Sequence, residues 1–96
     1  MLSIDSLISS FDDYVVIKLN DIYPQYEINQ DIDILTSQLE KNIRILLDNY
    51  DKTVFKHNIV EIKHLKHYQF DLYLLSNPRQ LHFRFDLFCV LEYKKF

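Results

Sequence analysis

A chain of 96 residues has room for one domain, and at 48% hydrophobic with seven Phe and seven Tyr it is composed as a folded globule rather than a disordered acidic segment. A formal charge of −3 argues against binding nucleic acid through bulk electrostatics, so nucleic acid is not an expected partner. Glycine is absent, which excludes the phosphate-cradling P-loop and the glycine-rich dinucleotide fingerprint.

Cys89 is the only cysteine. That excludes an internal disulfide, and its apolar surroundings suit a small buried hydrophobe in a reducing compartment. No window approaches the ~20 apolar residues of a membrane span. The N-terminus also lacks the basic start and small-residue cleavage site of a secretory signal. A cytoplasmic chain with no membrane partner is the expectation.

Ile4, Leu7, Ile8 and Phe11 recur at helical spacing behind Ser3 as N-cap, and predict a helix over roughly residues 4 to 12. Tyr14 to Leu19 is rich in β-branched and aromatic residues and reads as a buried strand, followed by a polar loop from Asn20 to Gln30. Asp31-Ile32-Asp33-Ile34-Leu35 reads as a further strand. Ser37 and Glu40 form a capping-box pattern, and Leu39, Ile43, Leu46, Leu47 and Tyr50 then share one helical face.

From Thr53 the helical period is lost, and Val54 to Leu65 mixes β-formers with Lys and His as an exposed strand does. Tyr68, Phe70, Leu72 and Leu74 then alternate with His67, Gln69, Asp71 and Tyr73. A turn is expected at Ser76-Asn77-Pro78-Arg79, after which Leu81, Phe83, Phe85 and Leu87 face away from His82, Arg84 and Asp86. The sum is an α+β domain, a mixed β-sheet with helices packed on one face and charges on the other.

Asp31 and Asp33 carry the chemistry. Side chains alternate along a strand, so the two carboxylates share a face, where like charges are costly unless a cation compensates them. Hard oxygen donors suit Mg²⁺. Asp86 is the candidate third member, provided its strand lies beside theirs; Asp71 is its rival. The competing readings are solvation or helix capping for Asp31 and Asp33, and a salt bridge to Arg84 or a neighbouring Lys for Asp86. A calcium loop is disfavoured by Leu35 at the next ligand position and by the missing glycine. His64 and His67 would face opposite sides of a strand and read as exposed polar residues. Lys56, His57, Lys63 and Lys66 are interrupted by Glu61 and Asp71, which suits a solvated face better than a polyanion site.

A strand and loop, a hydrophobic-Asp-hydrophobic-Asp-hydrophobic strand, a helix and a later hydrophobic-Asp-hydrophobic strand together resemble the nucleotidyltransferase fold shared with polymerase beta. More narrowly, Tyr14-Val15-Val16-Ile17-Lys18-Leu19, Asp31-Ile32-Asp33-Ile34-Leu35, Arg84-Phe85-Asp86-Leu87-Phe88 and Leu91-Glu92-Tyr93-Lys94 resemble a group of uncharacterised bacterial nucleotidyltransferase-like proteins. Those are associated with surface-polysaccharide synthesis.

The resemblance covers roughly residues 14 to 94 and implies one minimal nucleotidyltransferase-like domain over residues 1–96. Asp31, Asp33 and Asp86 would be its catalytic residues and hold Mg²⁺ or Mn²⁺, with Asp86 also accepting the proton of the attacking hydroxyl. Lys18, Asn20 and Arg84 would contact the nucleotide. The implied reaction transfers a nucleoside monophosphate from an NTP to a hydroxyl or phosphate acceptor. Active members of the superfamily carry Gly-Ser or Gly-Gly after the first strand, where this chain has Leu19-Asn20-Asp21. That departure motivates the second reading, a non-catalytic module of the same fold that acts with a protein partner or a second copy. An antidote of a toxin–antidote pair ranks last, because the glycine-serine-arginine signature is missing.

Overall fold

Alternate burial along Gln30–Thr36 shows how the sequence builds this fold: Ile32, Ile34 and Thr36 are buried, while Asp31 is exposed and Asp33 and Leu35 are half-buried. The computed structural model describes residues 3–18, 25–62 and 67–89. In chain order the elements are α1 (Ile4–Ile8), β1 (Tyr14–Lys18), β2 (Gln30–Thr36), α2 (Leu39–Asn49), β3 (Phe55–Ile62), β4 (His67–Leu74) and β5 (Asn77–Cys89). The strands form one five-stranded sheet in the order β1-β2-β5-β4-β3. β2 and β5 run parallel, and the other neighbours pair antiparallel. A parallel pair needs a long crossover, which α2 and the β3–β4 hairpin supply here. The expected α+β class with a mixed sheet is thus observed.

One face of the sheet makes the core. Ile32 lies beside Phe85 and Phe85 beside Phe70, so these side chains stack across β2, β5 and β4 on a single face. Ile4, Leu7 and Ile8 of α1 and Ile43 and Leu46 of α2 join the same cluster, which places both helices over that face. Phe70, Phe83, Phe85, Leu72 and Leu87 are fully buried there. At roughly 1.5–3 kcal/mol for each fully buried large apolar side chain, this cluster supplies the main favourable term. Asp31, Asp33 and Asp86 necessarily point to the other face.

A buried polar knot ties the helices to the sheet. Asn42 of α2 is fully buried, and its Oδ1 accepts the Asp12 N–H at 2.9 Å. Its Nδ2 donates to the Asp12 carbonyl at 3.0 Å and to Thr36 Oγ1 at 2.8 Å. Thr36 Oγ1 in turn donates to the Asp12 carbonyl and accepts the Gln38 N–H. The end of β2, the start of α2 and the turn before β1 are therefore held together.

Several local expectations are corrected. α1 ends at Ile8 rather than near residue 12: the Phe11 N–H bonds back to the Ile8 carbonyl, and Asp13 takes a left-handed φ of 46°, which a helix cannot continue through. The capping box at Ser37 does not form. Gln38 is the N-cap, without a side-chain bond, because the Ser37 hydroxyl donates to the Asp13 carboxylate instead. The hairpin turns at Leu75 and Ser76, two residues earlier than the proline suggested, and Asn77 already pairs with Leu74. Pro78 is tolerated in β5 because pairing resumes only at Leu81, so its missing N–H falls in a bulge.

A second irregularity turns His82 inward. Leu72 pairs with Phe83 but Tyr73 with Leu81, so β5 carries an extra residue there. His82 is 3% exposed, with its ring 5.0 Å from that of Phe55 on the core side, and does not share the face of Arg84 and Asp86. Among the described residues no helix is long and apolar enough to cross a membrane.

Candidate metal centre

The parallel register of β2 and β5 sets Asp33 beside Asp86 and Asp31 beside Arg84. Neighbours in register share a face, so the two aspartates of β2 and the one of β5 are directed to the same patch of sheet. One carboxylate oxygen from each of Asp31, Asp33 and Asp86 lies within 4.8 Å of the others. This is the convergence expected from the sequence, and it selects Asp86 over Asp71 as the third carboxylate.

Asp71 has a different task. It is 2% exposed and is gripped from both sides of its carboxylate by Arg84, with Nε at 2.7 Å from Oδ1 and Nη2 at 3.1 Å from Oδ2. The register explains the pair, since Asp71 stands directly opposite Arg84 across β4 and β5. Arg84 is accordingly held in its charged form by the Asp71 hydrogen bond. Two arms of its fork are engaged with a carboxylate of its own chain, so the ion pair of Arg84 is with Asp71 rather than with Asp86.

Asp86 is held by a histidine. Its Oδ1 lies 2.9 Å from His67 Nε2, and both residues are only 6% exposed. His67 stands opposite Phe88, two positions from Gln69, which faces Asp86, so the contact is the diagonal one between neighbouring strands. Its ring stacks on Phe88 with centroids 4.1 Å apart and planes 21° from parallel. Burial raises the Asp86 pKa above its ordinary value; the bond from His67 and its charge act in the opposite sense, while Asp31 and Asp33 raise it further. A carboxyl raised by burial, by a hydrogen bond with Asp31 and by the charge of Asp33 sits where a cation would be compensating.

The expectation that His67 is an exposed polar residue is therefore corrected. A signal was present in the alternation itself, which puts His67 in the same set as Gln69 and Asp71, but only strand pairing shows that this set faces Asp86. Lys18 lies in register beside Asp33 after a bulge in β1, and for this residue the backbone alone is described. Asn20, with Leu19 and Asp21, lies outside the described residues, as do Lys63, His64, Lys66 and the Leu91-Glu92-Tyr93-Lys94 motif. A separate groove of about 690 Å³ runs along α2 on the opposite face, bordered by Arg44, Asp48, Glu61, Tyr68 and Cys89. Its mixed charge marks it for no single ligand.

Comparison of the chain with known protein families, curated proteins and solved structures finds no match.

Proposed function

We propose that this domain is a metal-dependent nucleotidyltransferase that moves a nucleoside monophosphate from an NTP to a hydroxyl or phosphate acceptor. The observation that carries the reading is the convergence of Asp31, Asp33 and Asp86 within 4.8 Å across the parallel pairing of β2 and β5. The donor set fits Mg²⁺ or Mn²⁺, because hard carboxylate oxygens from two adjacent strands leave room for water and phosphate ligands. The resemblance of the surrounding motifs to nucleotidyltransferases points the same way.

On this reading Asp31, Asp33 and Asp86 hold the ion through their carboxylates. A divalent ion held there would supply positive charge to offset that of a triphosphate and its leaving pyrophosphate. Asp86 is the group that would take the acceptor's proton, as the acceptor oxygen bonds to the α-phosphorus and the bond to pyrophosphate breaks. Lys18, whose backbone lies in register beside Asp33, and Arg84, from within its pair with Asp71, are the proposed phosphate contacts. The motif resemblance assigns Asn20 as a third nucleotide contact.

The second reading, a non-catalytic binding or regulatory module with a protein partner, is favoured by Leu19-Asn20-Asp21 where active enzymes carry glycine. Calorimetric titration with each NTP at saturating Mg²⁺ separates the two. The enzyme reading expects binding by the intact chain and its loss in Asp33→Asn. No detectable nucleotide binding by the intact chain contradicts it.

A further inference from the structure

We propose that His67 is the positioning residue of the carboxylate cluster, fixing Asp86 by one oxygen so that the other remains available to a divalent cation. This rests on the metal-dependent reading above. The observation is a contrast between two buried aspartates on one sheet face. Asp71 is clamped at both oxygens by a cationic fork, Arg84 at 2.7 and 3.1 Å, whereas Asp86 meets a single imidazole N–H at Oδ1, from His67 Nε2 at 2.9 Å, and its carboxyl otherwise contacts the acidic side chain of Asp31.

The difference in chemistry follows from the donors. A guanidinium presents a planar fork of fixed charge, which saturates a carboxylate and cancels it. An imidazole donates a single N–H and needs no charge to do so. With Asp86 ionised and able only to accept, Nε2 carries the proton. Asp86 is then oriented while its negative charge stays in the cluster with Asp31 and Asp33, whose oxygens lie within 4.8 Å of its own. Hydrogen bonds of this kind to metal-ligating carboxylates set their direction, and their removal typically weakens metal binding by about 10–100-fold.

The ring is itself held in place. His67 is stacked on Phe88 at 4.1 Å, and its position opposite Phe88 in the β4 and β5 ladder fixes the diagonal reach to Asp86. Two neighbouring side chains of β5 thus divide the work, Phe88 setting the plane of the imidazole and Asp86 receiving its proton. A lysine or arginine at position 67 would repeat the Arg84 and Asp71 pairing and remove charge that the cation requires.

The test is Mn²⁺ binding, followed by electron paramagnetic resonance on the full chain. His67→Phe keeps the aromatic stack and removes the donor, and its Mn²⁺ affinity falls about 10–100-fold. His67→Gln restores an N–H and recovers most of that loss. Mn²⁺ affinity unchanged in His67→Phe overturns the proposal, and so does an equal loss in both variants. The wild-type chain gives a second measurement independent of variant folding. The ¹⁵N signal of His67 Nε2, protonated at neutral pH, shifts as Mg²⁺ saturates the site; an unprotonated Nε2 or an unmoved signal contradicts the assignment. A wild-type chain that binds no Mn²⁺ removes the metal-dependent reading itself, whereas tight wild-type binding with indifferent His67 variants removes only the role of His67.

Discussion

Asp33 stands directly beside Asp86 across the parallel pairing of β2 and β5, and Asp31 completes a cluster whose carboxylate oxygens lie within 4.8 Å. Two strands distant in sequence are brought into register by the apolar ladder on the opposite face, where Ile32 meets Phe85 and Ile34 meets Leu87. Packing on one face thereby sets the distance between charges on the other. The candidate site is a consequence of core register.

Like charges at that spacing cost stability when no cation is present. The Asp31→Asn, Asp33→Asn double variant is expected to be more stable than the wild type in chelator, by up to about 1 kcal/mol. Saturating Mg²⁺ should reverse the order, since a ligand at a hundred times its dissociation constant stabilises by about 2.7 kcal/mol. Urea denaturation of both proteins, with EDTA and with Mg²⁺, checks both arms. A double variant that gains as much from Mg²⁺ as the wild type does would place the cation elsewhere.

Arg84 supports the fold whatever it does for phosphate. Its removal leaves the Asp71 carboxylate, with a side chain only 3% exposed, without its partner. Arg84→Ala is expected to cost roughly 3 kcal/mol or more, and the paired change Arg84→Met, Asp71→Leu to recover most of it. Chemical denaturation of the single and double variants decides the matter; equal losses in both would mean that the charge pair is not the cause.

Asn42 predicts a similar loss by another route. Asn42→Leu removes one acceptor and two donor bonds to Asp12 and Thr36, and leaves the part-buried Asp12 N–H without this partner at the turn before β1. A net value of about 0.5–1.5 kcal/mol per hydrogen bond gives an expected loss of roughly 2–4 kcal/mol. Thermal unfolding reads it, and a variant melting with the wild type would show that the knot contributes nothing.

His82 should make the fold acid-sensitive. It is 3% exposed, its Nε2 is bonded to the Tyr26 hydroxyl, and its buried Nδ1 has no hydrogen-bond partner among the described residues. Burial lowers its pKa below the ordinary histidine value. The unfolded chain therefore binds the proton first, and the stability from neutral His82 is present above about pH 6.5 and lost as pH falls toward the lowered folded pKa. One proton allows a slope no steeper than about 1.4 kcal/mol per pH unit. Urea midpoints between pH 7.5 and 5 should fall for the wild type and fall less for His82→Gln. Parallel curves would assign the acid sensitivity to another group.

The elements were legible in the sequence wherever one face is apolar. The alternation of Phe70 and Leu72, and of Phe83, Phe85 and Leu87, reveals their strands, and the spacing of Ile43 and Leu46 reveals α2. Asp31 and Asp33 were legible as a pair because period two is local. That Asp86 joins them depends on β2 and β5 lying side by side, which no periodicity encodes; its apolar setting between Phe85 and Leu87 made it a candidate only on that condition. His67, Arg84 with Asp71, and the inward turn of His82 were not legible, because each depends on register or on a bulge. The Ser37 capping box failed for a related reason, since Asp13, distant in sequence, captures the serine hydroxyl.

The most direct test is a crystal structure of this chain with Mn²⁺ and a non-hydrolysable NTP analogue, using the anomalous signal of manganese to find the ion. The account predicts an anomalous peak bound by Asp31, Asp33 and Asp86, with His67 Nε2 still on Asp86 Oδ1 and the triphosphate on the same sheet face. Manganese and nucleotide absent from that cluster at saturating concentrations, or bound elsewhere on the chain, would contradict it.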